Sequence, residues 1–189
     1  MARAGRAGRR HRRPAVGAVA PSLETLNQLG RDEFRRALGG VFEQSPWVAD
    51  RAFARRPFAS LEALHEAMAQ VVGRASREEQ LALIRAHPDL AGTAARARAM
   101  SAASVAEQSS AGLDRLTEEE YERFERLNGA YREKFGFPFI IAVRRHEKHA
   151  ILAAFEARLP NSLDEEVEAA LAQIAEIARL RLGVLSMER

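Results

Sequence analysis

The sequence predicts an all-α fold, a single-domain helical bundle of about eight or nine helices with one short irregular extended segment. Three observations carry this. Apolar residues after Pro21 recur at spacings of three and four, Ser or Thr stands where those runs begin, and no stretch alternates apolar and polar residues between turn dipeptides. With 189 residues, 47% hydrophobic and 29% charged, the chain has the size and composition of one globular domain. No segment repeats at a fixed period.

Ser22 opens a helix over 22–29 that Gly30 closes. A second helix is expected over 32–43, with Phe34, Leu38, Val41 and Phe42 on one face; Gly39 and Gly40 weaken it or let a neighbour approach closely. Ser45 as cap and Pro46 at the first helical position start a helix over 46–54. Ser60 starts another over 61–72. Three further starts pair Ser or Thr with Glu three residues on, Ser76 with Glu79, Thr117 with Glu120 and Ser162 with Glu165. That pattern satisfies orphan amides at a helix start and predicts helices over 77–86, 118–135 and 163–185. Helices over 101–109 and 146–158 complete the set. Between them "FGFPFIIAV" breaks the pattern, because Gly136 and Pro138 end the helix before it and Ile140, Ile141 and Val143 favour an extended path.

The formal net charge is +3, yet Met1–Arg13 carries six arginines and no acid, so the remainder stands at −3. Residues 1–21 read as a basic, disordered tail and 22–189 as the folded domain. The tail has no aromatic residue to stack on bases and no apolar stretch for a secretory signal, so a solvated extension is favoured over a nucleic-acid arm or a transit peptide. The longest apolar run, Phe137–Val143, is too short to span a bilayer, so no membrane role is expected.

With no cysteine, site chemistry falls to His, Glu, Asp, Ser, Arg and backbone groups. In "HPDLAG", Pro88 places His87 where the helix over 77–86 stops. Two readings stay open: a helix-terminal histidine favoured by the dipole, with Asp89 capping the next segment, or a site histidine. In "SAASVAEQSSAGLD", Ser104, Glu107 and Gln108 share one helix face, with Val105 as the sizeable apolar side chain opposite. Taken alone, such a face turns to water. Ile174, Ile177, Leu180 and Leu185 mark a stripe on the last helix, flanked by Arg179 and Arg181. His146 and His149, with His87, could supply three metal ligands, but a solvated charged face explains "RRHEKH" better, and no metal site is expected.

Taken together, "HPDLAG", "SAASVAEQSSAGL", "FGFPFIIAV", "IAEIARLRL" and the opening "LNQLGRDEFRRALGGVFEQSPWVAD" resemble the OHCU decarboxylase family from about Leu26 to Leu182. The resemblance implies an all-α, cofactor-free, homodimeric enzyme that converts 2-oxo-4-hydroxy-4-carboxy-5-ureidoimidazoline to (S)-allantoin in urate degradation. By matching motifs, His87 corresponds to the family's catalytic histidine and Glu107 to its partner carboxylate. Pro88, Ser104, Gln108 and the backbone of Phe139, Ile140, Ile141, Ala142 and Val143 would line the substrate pocket. The family's late arginine falls on Arg181 rather than Arg179. In this reading His87 handles the proton, Glu107 orients the imidazole, and Ser104, Gln108 and the amides of 140–142 bind the ureido and ring polar groups. "SMER" lacks a peroxisomal address, so the cytoplasm is expected. The rival reading is a helical interaction or nucleic-acid-binding protein working through its arginine-rich tail.

Overall fold

A computed structural model describes residues 21–91 and 100–187. The tail over 1–20 and Gly92 of the "HPDLAG" motif lie outside them, as does the side chain of Leu185. Nine α-helices form among the described residues: α1 (Leu23–Gln28), α2 (Arg31–Leu38), α3 (Pro46–Ala52), α4 (Leu61–Gly73), α5 (Arg77–Arg85), α6 (Ala102–Ser110), α7 (Glu118–Phe135), α8 (Lys148–Arg158) and α9 (Leu163–Met187). There is no strand among these residues, as the lack of alternation predicts. Residues 137–142 carry no regular structure, and Val143, expected within the extended stretch, instead begins a 3₁₀ turn, Val143–Arg145.

Capping chemistry fixes the starts. Thr117 and Ser76 each form the reciprocal box with the glutamate three residues on, and Ser162 and Glu165 do the same. Ser45 takes the cap position before Pro46, but its hydroxyl bonds no first-turn amide. Gly136 ends α7 at φ 73°, the left-handed geometry a glycine adopts without a Cβ clash.

The largest departure from expectation is at α2. The helix expected to reach residue 43 stops at Leu38. A Cβ on Gly39 would lie 2.6 Å from the Arg35 carbonyl oxygen and 3.3 Å from the Pro46 side chain, so the glycine permits a close approach of α3. The chain then turns through 39–44, still burying Val41 and Phe42, and brings Glu43 inward at 2% exposure.

Packing runs α2 on α3, α3 on α4, and both α4 and α5 on α9. A second part of the core is aromatic. Tyr131 and Phe135 from α7, Phe137 and Phe139 from the irregular segment and Phe155 from α8 cluster, with Phe139 stacked on Phe155 at 3.8 Å between ring centres. Beside it, the fully buried Glu166 takes the Tyr131 hydroxyl, the Arg158 guanidinium and the Asn161 amide. Arg158 also donates to the Ile140 carbonyl at 2.7 Å, and the Ala142 amide donates to Gln173 at 2.9 Å. A buried charge without partners is strongly unfavourable, so this network locks the irregular segment to α8 and α9.

Candidate active site

Helix α5 delivers His87. Leu83 and Ile84 are fully buried and Leu81 half-buried, which sets the rotation of the helix end. The imidazole sits two residues beyond α5 with Nδ1 at 3.0 Å from the Leu83 carbonyl oxygen. A carbonyl only accepts, so Nδ1 carries the hydrogen and Nε2 is left with a lone pair for the cleft. Burial pushes the imidazole below its ordinary pKa; the Leu83 bond and the Glu43 charge oppose this without overcoming it. His87 is therefore neutral at rest.

The loop after it is tied down from two helices. Gln108 of α6 accepts from the Ala91 amide at 3.0 Å and donates to the Asp89 carbonyl at 3.1 Å. From α7, Asn128 donates to the Leu90 carbonyl and Arg132 to the Asp89 carboxylate. Asp89 thus holds an ion pair with Arg132, its carboxylate 3% exposed.

Helix α6 packs the opposite way from an ordinary amphipathic helix. Ser104 is buried and Glu107 and Gln108 half-buried, whereas Val105 is 41% exposed. The reason is α9. Arg181 lies seven residues after Ile174 and four after Ile177, on the buried stripe of α9, and its guanidinium meets the polar face of α6. Nε and Nη2 donate to the two oxygens of Glu107, each at 2.8 Å, Nη2 also reaches Ser104 Oγ at 3.1 Å, and Nη1 reaches the Gly40 carbonyl at 3.2 Å and Glu43 at 3.0 Å. Arg179 is exposed and pairs with Glu176.

One cleft joins these groups. It is narrow and open to solvent on one side, and it is lined by every residue the sequence singled out for the site except Ala142, together with Leu90 and Ile177. The Ala142 amide faces Gln173 instead. A second expectation also changes: the imidazole is oriented by the Leu83 carbonyl, and both Glu107 oxygens are taken by Arg181. Glu43 is the charged residue that the spacing missed. An uninterrupted helix to 43 would have turned it off the face of Phe42, and only the break at Gly39 brings it inside. Among the described residues no group of three His, Cys, Asp or Glu could hold a metal ion; His146 and His149 are exposed.

The fold and the cleft define a helical protein with a neutral histidine in one cleft with a bidentate arginine–carboxylate pair, an arrangement suited to acid–base chemistry on a small polar molecule. The OHCU decarboxylase family model matches residues 27–183, and the chain belongs to that family. It is 48% identical over 162 residues to the 2-oxo-4-hydroxy-4-carboxy-5-ureidoimidazoline decarboxylase of Haloferax volcanii, covering 86% of this chain and 94% of that one. It is 44% identical to the uric acid degradation bifunctional protein PucL of Bacillus subtilis, over 89% of this chain and 33% of the longer protein. Among solved structures, a crystal structure of (S)-allantoin synthase superposes with a TM-score of 0.68 at 33% identity, over 87% of this chain and 54% of that one.

Proposed function

We propose that this chain decarboxylates 2-oxo-4-hydroxy-4-carboxy-5-ureidoimidazoline to (S)-allantoin, with no cofactor, and that His87 and Glu107 are its catalytic residues. The observation that carries this is the neutral His87, with Nε2 free, in one cleft with the Arg181–Glu107 pair.

When CO2 leaves C4, the bonding electron pair passes into the adjacent ring C=N bond, so the ring is its own electron sink. The ring nitrogen that receives the displaced C=N pair takes one proton from water, which replaces the charge carried in by the carboxylate; the 4-hydroxyl then loses its proton to become the carbonyl of the product, and C5 gains one. Nε2 of His87 accepts the hydroxyl proton and returns it to one face of C5, which sets the configuration; a positioned acid–base group of this kind is worth roughly 10² to 10⁴ in rate. Glu107, held by Arg181, presents fixed charge to the hydroxyl and ring N–H groups. Pro88, Phe139, Ile140, Ile141 and Val143 supply the apolar walls, and Gln108 holds the histidine loop.

The deciding measurement generates the unstable substrate from urate and follows allantoin by circular dichroism. Acceleration with an (S)-enriched product is expected, lost in His87→Gln. Racemic product at the uncatalysed rate would exclude the activity. The domain boundary near residue 21, a homodimer and a cytoplasmic location complete the reading. A chain starting at residue 21 should keep full turnover, sedimentation should give twice the 20.9 kDa chain mass, and cell fractionation should find the activity in the soluble fraction. No helix among the described residues is long and apolar enough to cross a membrane.

A further inference from the structure

Glu43 has no part in the mechanism above, yet it is a buried carboxylate one hydrogen bond behind the cleft, bonded to Ser104 and beside Arg181 of its lining. Its Oε2 accepts from Ser104 at 2.8 Å and Ser101 at 3.1 Å, and lies 3.0 Å from Nη1 of Arg181. Burial pushes its carboxyl up, but the two hydroxyls and the guanidinium outweigh burial and hold it below the ordinary carboxylate range. The charged groups that act on His87 are Glu43 from the turn after α2, Glu107 from α6 and Arg181 from α9. Asp89 is occupied by Arg132, and Phe139–Val143 carries no charge.

This juxtaposition has two effects. A serine hydroxyl has one hydrogen, and that of Ser104 goes to Glu43 while its oxygen takes Nη2 of Arg181. Ser101 Oγ lies 3.1 Å from both Glu43 and Ser104; its one hydrogen goes to the charged carboxylate, so what Ser104 has left for a ligand is a lone pair. It therefore favours an N–H or O–H, which a ureido group and a hydroxyl offer and a carboxylate does not. Moving the hydroxyl proton onto Nε2 also makes His87 transiently cationic inside a buried site, where a fixed negative charge stabilises it.

Resting on the activity proposed above, we infer that Glu43 is a positioning residue for the reaction: it sets Ser104 as an acceptor toward the substrate and stabilises the imidazolium while the proton is in transit. Glu43, held below the ordinary carboxylate range, stays ionised at neutral pH, and the proton count of the reaction is unchanged by it.

The test compares the parent with Glu43→Gln and Glu43→Asp, by steady-state kinetics across the neutral pH range with melting temperatures alongside. A glutamine can donate to Ser104, so the serine hydrogen is released toward the ligand, and the negative charge is gone. Glu43→Gln should lower kcat/KM roughly tenfold to a hundredfold, the scale of small misplacements in a site. Its acid limb should move to lower pH, because His87 has lost a charge that favours its protonation. Glu43→Asp keeps the charge but shortens the reach to Ser104, so KM should rise with the limb unmoved. A folded Glu43→Gln with the parental limb overturns the inference, whatever its rate. Where Glu43→Gln does not fold, Glu43→Asp decides, a parental KM overturning it. An inactive parent overturns the decarboxylase reading itself, whereas an active parent confines any failure to Glu43.

Discussion

Arg181 and Glu107 lie 74 positions apart in the chain and meet through two parallel hydrogen bonds of 2.8 Å, both side chains being largely buried. The pair joins the last helix to α6 and turns that helix's polar face inward. Removing one member of a buried pair leaves the other charge uncompensated, which typically costs about 3–5 kcal/mol. Arg181→Met should reduce stability by that order in urea unfolding and abolish turnover. Arg181→Lys should not restore it, because an ammonium cannot serve Glu107, Ser104 and Glu43 in the same plane. A lysine variant with parental kcat/KM would show that the fork geometry is unimportant.

His87 predicts a pH dependence of stability. Burial holds its folded pKa below the ordinary value of about 6.5, so in the window below that value the unfolded chain binds a proton that the folded chain does not. Stability is thus complete above the window and declines as pH falls through it. Guanidinium unfolding midpoints at pH 7 and pH 5.5 should fall less for His87→Gln than for the parent; equal losses would place the titration elsewhere.

Glu166 should matter to both stability and binding. It is fully buried and receives Tyr131, Arg158 and Asn161. Glu166→Ala should cost about 3–5 kcal/mol. Because Arg158 also grips the Ile140 carbonyl, the cleft wall loosens and KM should rise in whatever fraction stays folded. Unfolding and KM measured on one preparation check this, and an unchanged KM would separate the network from the site.

Adjacent glycines should respond differently to alanine. A Cβ on Gly39 collides with the Arg35 carbonyl and Pro46, while one on Gly40 meets nothing within 4 Å. Gly39→Ala should destabilise by about 1–3 kcal/mol, as forced overpacking does. Gly40→Ala should stay within about 0.5 kcal/mol of the parent. Thermal melts of the two variants decide it, and equal effects would mean that α3 does not depend on the close approach.

Much of the fold was legible because helix starts are local. A serine or threonine cap, paired in α5, α7 and α9 with the glutamate three residues later, acts within one turn, so the starts of α4, α5, α7 and α9 come from short stretches. The end of α2 was not, because it depends on what Gly39 packs against, and Pro46 comes from the next helix. The same break hid Glu43. Arg181 could have been separated from Arg179 by its register with Ile174 and Ile177, whereas its partners could not have been named that way.

Local chemistry in the sequence determined that this chain is helical, where most helices begin, and which short blocks match a decarboxylase family. Tertiary structure alone decided that α6 faces inward with its polar side, that Leu83 rather than Glu107 orients His87, and that Glu43 joins the site. The physical reason is desolvation. Whether a charged side chain is solvated or buried depends on a compensating partner, and here those partners are brought from helices far apart in the chain.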